Sequence, residues 1–175
     1  MRNWKNTRGH ALPTIERHWL RMMAEEAEAN FSSTVLVNIG IFLGASMYCL
    51  RAGASKARLV GIDTVYPQGY TLEPEMLAEI IVGDSGEAFR GFEGPVHLIF
   101  VDGDHSYEGV MADILGWAPK IVPGGVMAFH DFKTAPAAAA KHAGIKRAVL
   151  EWEERAQWDL LEDVGSLRAY RRPTK

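Results

Sequence analysis

Two stretches set ionisable side chains directly behind runs of hydrocarbon: "IFVDGDH", Ile99 to His105, and "AFHD", Ala128 to Asp131. Paired carboxylates such as Asp102 and Asp131 suit a hard divalent cation, which takes oxygen ligands. His130, beside Asp131, adds a nitrogen that suits manganese, iron or zinc better than magnesium. Asp104 and His105 are candidate proton acceptors, His105 because its ordinary pKa lies near neutrality. Plainer roles stay open. The cluster could hold no metal at all, Asp104 could be a turn residue, and His105 a packed, hydrogen-bonded side chain.

A second constellation points to a nucleoside. In "NIGIFLGAS", Asn38 to Ser46, Gly40 and Gly44 allow a tight turn and a close backbone approach ahead of a helix. Phe42 stands where a dinucleotide fingerprint would have its second glycine, so a nucleoside without a pyrophosphate fits better. Asp63, about twenty residues on, is placed to accept from ribose hydroxyls, or else to shape a turn. Asp84 and Ser85 end the next apolar run, where an adenine would lie or where a helix N-cap is needed. A metal-dependent phosphoesterase or hydrolase would explain "DGDH" and "HD" but not Gly40, Gly44 and Asp63. A non-catalytic nucleoside-binding module would keep those three and have no need of Asp102, Asp104 and Asp131 together.

These groups must be held by regular elements. "PTIERHWLRMMAEEAEA" spaces Ile15, Trp19, Met22 and Met23 as one face of a helix. Short apolar runs ending at Gly40, Asp63, Asp84, Asp104 and Asp131 read as buried strands. Helical patterns lie between several of them, at 44–54, 107–122 and 135–156, the last interrupted by Gly144. Strand–helix alternation implies right-handed crossovers and a parallel sheet. "WDLLEDVG" and "SLRAYRR" are too close for a crossover and must pair antiparallel. In such a sheet ligands gather at the carboxyl ends of the strands, and five ends here carry polar or glycine residues. The segment 64–76, with two prolines and a glycine, reads as an abbreviated or irregular crossover.

The chain has 175 residues, about one domain, read as an N-terminal helical segment (1–33) before a ligand-binding domain (34–175). The net charge of −3 argues against nucleic acid as a bulk electrostatic partner. The basic tail, Arg168, Arg171, Arg172 and Lys175, reads as a solubilising end. Cys49 is the single cysteine and reads as a buried hydrophobe. No signal-peptide pattern or membrane span is visible, so a cytoplasmic setting is expected. Asp113 reads as a surface residue or one behind the ligands. His10, His18, His97 and His142 read as structural, and Trp117 and Trp152 as core. Trp4, Tyr66 and Tyr70 are candidates for lining an acceptor pocket.

"VNIGIFLGAS", "LVGID", "VGDS", "IFVDGDHSYEGVMADILGWAPKIVPGGVMAFHDF" and "GSLRAYRR" together resemble the class I S-adenosylmethionine-dependent methyltransferases. Among them the chain is similar to small-molecule O-methyltransferases of the macrolide-sugar and aminocoumarin-sugar type, over Thr34 to Arg172. The resemblance implies a Rossmann-like α/β fold with a seven-stranded, mostly parallel sheet, one antiparallel strand and helices on both faces. It implies S-adenosylmethionine as cofactor and S-adenosylhomocysteine as product. Gly40, Gly44 and Ser46 would border the methionine part, Asp63 the ribose, and Asp84 with Ser85 the adenine. Asn38 stands where the family has an acidic residue, and Asp102 lies at the mouth of the same pocket. Asp102 and Asp131 would bind magnesium, with His130 at a position often acidic in the family. Asp104 would be the base, with His105 as the second choice. The partner implied is a small-molecule methyl acceptor such as a sugar, phenol or polyketide. The acceptor side would be open, or completed by a second copy of the chain.

Overall fold

The computed structural model describes residues 12–65, 76–135 and 139–175. Its elements run α1 (Thr14–Asn30), β1 (Val35–Ile39), α2 (Ala45–Gly53), β2 (Arg58–Asp63), β3 (Ala78–Val82), α3 (Ser85–Ala88), β4 (Val96–Val101), α4 (Tyr107–Trp117), β5 (Ile121–Phe129), α5 (Ala143–Glu153), β6 (Asp159–Val164) and β7 (Leu167–Arg171). The strands form one sheet in the order β3-β2-β1-β4-β5-β7-β6. β1 to β5 pair in parallel, and β7 runs antiparallel to both β5 and β6. The single reversed strand is the one expected from the short 158–172 connection.

Side-chain alternation along the strands divides the core into two layers. Leu36, Leu59, Leu98, Phe100 and Ala128 face α1 and α2, burying Leu20, Ala24, Met47 and Leu50 against them. Val37, Val60, Ile99, Val101 and Phe129 face α4 and α5, against Ile114, Trp117, Ile145 and Val149. Trp117, fully buried, also donates from Nε1 to the Ser85 carbonyl at 3.0 Å. Cys49 is buried, which pushes its thiol up to about 11, opposed by the nearby Arg17.

The chain turns left from β1 to β2 and β3, then crosses to β4 and β5 on the right. The crevice at that reversal is where an open α/β sheet binds its ligands. Strand ends are staggered there by backbone bonds: Gly40 donates to Ile62, Asp102 to Ile39 and His130 to Val101, at 2.8, 2.9 and 3.0 Å.

Several local expectations change. The strand before Asp84 is an edge strand and only half buried, since among the described residues nothing pairs beyond it. On α1 the buried stripe is Glu16, Trp19, Leu20, Met23, Ala24 and Ala27, whereas Ile15 (59 %) and Met22 (44 %) are exposed. Helix α4 stops at Trp117, and a 3-10 turn (Ala118–Lys120) carries Pro119. Pro123–Gly125 lies inside β5, where the β4–β5 register shifts. The 135–156 pattern is helical only from Ala143, after a turn at 139–142, and Gly144 lies in the first turn of α5. It lets the helix start lie on α4, because a Cβ there would stand 2.5 Å from the His105 carbonyl oxygen. The tail is structural: Arg168 bonds Asp163 at 2.8 and 2.9 Å, and Arg171 pairs with Glu26 at 2.8 Å. Most of the 64–76 crossover, with Tyr66 and Tyr70, lies outside the described residues, as do Trp4 and His10.

Trp117→Ala removes the largest wholly buried side chain. It should cost about 3–5 kcal/mol, read as a lower urea midpoint with an unchanged slope. A loss under about 1 kcal/mol would contradict the packing described.

Candidate active site

The glycine loop is built around Asp63. Its Oδ2 accepts from the Ile41 and Phe42 amides at 2.8 and 3.1 Å, and its Oδ1 from Val65 at 3.3 Å. Gly40 and Gly44 have φ of +80° and +78°, a region glycine enters freely. A Cβ on Gly40 would collide with the Asp102 carbonyl, so β1 and β4 end in backbone contact. Gly44 caps α2, and Ser46 is buried in its first turn. Phe42 sits at the loop tip with φ 46° and 69 % exposure, two unfavourable conditions at once. Asn38 is wholly buried and donates from Nδ2 to the Gly40 carbonyl at 2.8 Å. Its Oδ1 is buried without a donor among the described residues. Asp84 accepts from the Gly86 amide at 2.7 Å as the cap of α3, which Ser85 begins.

Beyond β4 and β5 stands a chain of carboxylates and imidazoles. His130 Nδ1 lies 3.0 Å from Asp102 Oδ1, and its Nε2 lies 3.1 Å from Glu16 Oε2. Glu16 is wholly buried, and its Oε1 accepts from the Ser166 amide and hydroxyl at 2.7 and 2.9 Å. Asp131 Oδ2 is 3.5 Å from His130 Nδ1. Burial alone would lower the His130 pKa. The carboxylates of Asp102, Asp131 and Glu16 outweigh it and push the imidazole up to about 12. These contacts favour the imidazolium form, with both ring nitrogens engaged. Asp131 has φ 55°, strained for a non-glycine residue at a strand end. Burial would raise its carboxyl, but His130, His142 and His105 hold it below the ordinary value.

The other side of Asp131 faces two histidines. His105 Nε2 is 3.8 Å from Asp131 Oδ2 and 3.6 Å from Asp102 Oδ1. His142 Nδ1 is 3.4 Å from the same Asp131 oxygen. The two imidazoles meet edge to face with centroids 4.7 Å apart. Asp104 turns away from this centre. Its oxygens accept from the Ser106 amide at 2.9 Å and hydroxyl at 2.7 Å, and these bonds hold its pKa below the ordinary value. Ser106 in turn caps α4 through the Gly109 amide.

Residues from both sequence constellations thus stand at neighbouring strand ends: Asn38, Gly40, Gly44, Ser46 and Asp63 around the β1 loop, Asp84 and Ser85 after β3, and Asp102, His105, His130 and Asp131 at β4 and β5. Glu16 and His142 join the cluster at β4 and β5 through His130 and Asp131, and sequence reasoning missed both. Glu16 had a signal, a carboxylate in step with Leu20, Met23 and Ala27 on the α1 stripe. His142 had none, because only the packing of α5 on α4 brings it in. Asp113 is buried rather than at the surface, and burial pushes its carboxyl up to about 6, opposed by Ser85. His97 is structural, accepting from the Val35 amide at 3.0 Å.

A folded-state pKa raised above 6.5 stabilises fully below 6.5 and loses that contribution as pH rises toward 12. Thermal unfolding between pH 6.5 and 9 should therefore show a falling midpoint, and His130→Gln, which removes the titrating imidazole, should flatten that fall. Equal slopes in the two proteins would refute the clamped imidazolium.

A family model described as a methyltransferase domain matches residues 37–132, more than half of the chain. Among solved structures, the O-methyltransferase NovP is similar at a TM-score of 0.71 and 16% identity, covering 90% of this chain and 79% of that one. The O-methyltransferase from Bacillus cereus in complex with SAH is similar at 0.70 and 18% identity, covering 96% and 86%. MycE, from the mycinamycin biosynthetic pathway and solved with Mg, SAH and mycinamycin VI, is similar at 0.63 and 16% identity, covering 84% of this chain and 47% of MycE. With the matched segment running from β1 through the Asp102 and Asp131 strand ends, the chain belongs to the class I S-adenosylmethionine-dependent methyltransferases.

Proposed function

We propose that the chain methylates a hydroxyl oxygen of a small molecule. The observation that carries this reading is one crevice flanked by a nucleoside-type loop on one side and a carboxylate–imidazole cluster on the other. Relatives in fold include two O-methyltransferases, and MycE was solved with mycinamycin VI. The acceptor class follows that company, a sugar, phenol or polyketide hydroxyl. The phosphoesterase reading leaves the loop around Asp63 unexplained, and the pure binding module leaves the buried cluster unexplained.

The residues fit S-adenosylmethionine on two structural grounds. The orphan Asn38 Oδ1 is an acceptor beside the loop, suited to the ammonium of the methionine moiety. The exposed Phe42 offers an apolar face that a nucleoside would cover. Gly40, Gly44 and Ser46 border the methionine part in this reading, Asp63 meets the ribose hydroxyls, and Asp84 with Ser85 flanks the adenine. When bound, the cofactor supplies a sulfonium-activated methyl group. The C–S bond breaks as the O–CH3 bond forms, a neutral thioether leaves, and the hydroxyl proton is lost. The protein's task is to align the acceptor oxygen about 3 Å from the methyl carbon and to favour loss of that proton. The cluster of Asp102, His105 and Asp131 serves that loss. Asp104, tied to Ser106, builds the turn that presents His105.

For a divalent cation, Asp102 and Asp131 match the one or two carboxylates that magnesium uses. Three imidazoles crowd the same Asp131 oxygen, however, within 3.8 Å. Such a mixed nitrogen–oxygen set favours a borderline transition cation over magnesium.

Asp63→Ala should weaken S-adenosylhomocysteine binding by about 10- to 100-fold, the worth of charge-assisted hydrogen bonds. Calorimetric titration reads this. Failure of the wild-type protein to bind the nucleoside would sink the methyl-transfer reading.

A further inference from the structure

We infer that His105, Asp131 and His142 form a binding site for a borderline divalent transition cation, zinc, cobalt or manganese. Their ligand atoms, two imidazole nitrogens and one carboxylate oxygen, all lie within 4.8 Å of one another. Asp131 Oδ2 is 3.4 Å from His142 Nδ1 and 3.8 Å from His105 Nε2. Ligand atoms around a tetrahedral zinc stand roughly 3.3 Å apart, given bonds of about 2.0–2.1 Å. Small side-chain rotations close the difference.

His142 is the independent observation. It is only 9 % exposed, and among the described residues neither ring nitrogen has a hydrogen-bond partner. Its Nδ1 approaches Asp131 without the alignment of a hydrogen bond. A buried imidazole with no partner is costly, and an ion between it and Asp131 removes the cost.

The sequence alone groups Asp102, His130 and Asp131 as the ligands. Their atoms are also within reach of one another. His130 nonetheless directs Nδ1 to Asp102 at 3.0 Å and Nε2 to Glu16 at 3.1 Å, so neither nitrogen is free to ligate. The nitrogen ligands come instead from His105, after β4, and His142, at the start of α5. Gly144 makes this possible by letting α5 lie on the His105 backbone. Three protein ligands would leave a fourth position for solvent or substrate, the pattern of catalytic rather than structural zinc sites. An acceptor hydroxyl bound there would be acidified. That last role rests on the methyl-transfer reading, whereas the site does not, so the two are tested apart.

The untagged 175-residue chain, stripped with EDTA, is titrated calorimetrically with zinc, cobalt, manganese and magnesium. One equivalent of zinc or cobalt should bind at least about 100-fold tighter than magnesium, with visible absorption from the cobalt form. His142→Ala and His105→Ala, each checked for folding by circular dichroism, should weaken zinc by more than the roughly 10- to 100-fold lost with an outer-shell partner. Magnesium binding as tightly as zinc, no stoichiometric binding, or unchanged zinc affinity in either folded variant would overturn the site. Titration of the metal-free protein with S-adenosylhomocysteine runs in parallel. Loss of nucleoside binding with zinc retained strikes the methyl-transfer reading alone, and the reverse strikes the cation site alone.

Discussion

The bond pair at His130 organises the reacting end of the molecule. One imidazole ties α1, through Glu16, to the end of β4, through Asp102. Glu16 also holds the β6–β7 turn at Ser166, so four separated parts of the chain meet at one charge cluster. A wholly buried carboxylate is tolerable only because it accepts three hydrogen bonds and faces a cation. Removing one member would leave the others unpaired in a low-dielectric interior, where the penalty is largest. The helix that precedes the sheet is therefore part of the site rather than an appendage. Leu20 and Ala24 bury in the same layer as Leu36 and Phe100, which fixes the angle at which Glu16 arrives.

The sheet supplies the second constraint. Gly40 and Asp102 touch through their backbones, so β1 and β4 end side by side at the point where chain order reverses. That contact sets the distance between the cofactor loop and the carboxylate cluster. Side-chain parity does the rest. Asn38 and Phe100 are register partners on adjacent strands, and Asp102 follows two residues after Phe100. Ala128 and His130 repeat the pattern on β5, which places His130 and Glu16 on the α1 side of the sheet. Asp131, one residue later and with positive φ, presents its carboxylate to His105 and His142 as well as to His130.

Local signals made much of this legible. Strand ends follow from apolar runs breaking at Gly40, Asp63, Asp84 and Asp104, because a buried strand carries an ionisable group inward only where a partner satisfies it, as the Val35 amide satisfies His97. The reversed last strand followed from a connection too short for a crossover. What escaped was long-range. Ile15 looked like core because it lies in helical step with Trp19, but the stripe is rotated by one position, and a carboxylate occupies the inward place. A glycine inside a helical pattern suggested a break. Its real role is steric, and sequence cannot show what backbone a missing Cβ would meet. His142 shares no motif with His105, since a connection and a helix packing angle bring them together. Asp104 was ranked above His105 on the family resemblance. Its two bonds to Ser106 show a carboxylate already occupied in shaping the turn.

Asn38, which departs from the family's acidic residue, has a local physical cause. Its Nδ2 donates to the Gly40 carbonyl at 2.8 Å. A carboxylate in the same rotamer would set an anionic oxygen against that carbonyl, in a position with no exposure to water. It would also add to the negative charge already carried by Glu16, Asp102 and Asp131 at the neighbouring strand ends. The amide instead closes the tight turn that Gly40 begins, and leaves Oδ1 as a neutral acceptor. The chain thereby gains a self-consistent loop. In the methyl-transfer reading proposed above, long-range attraction for a cationic cofactor would fall to the carboxylates at the ends of β4 and β5.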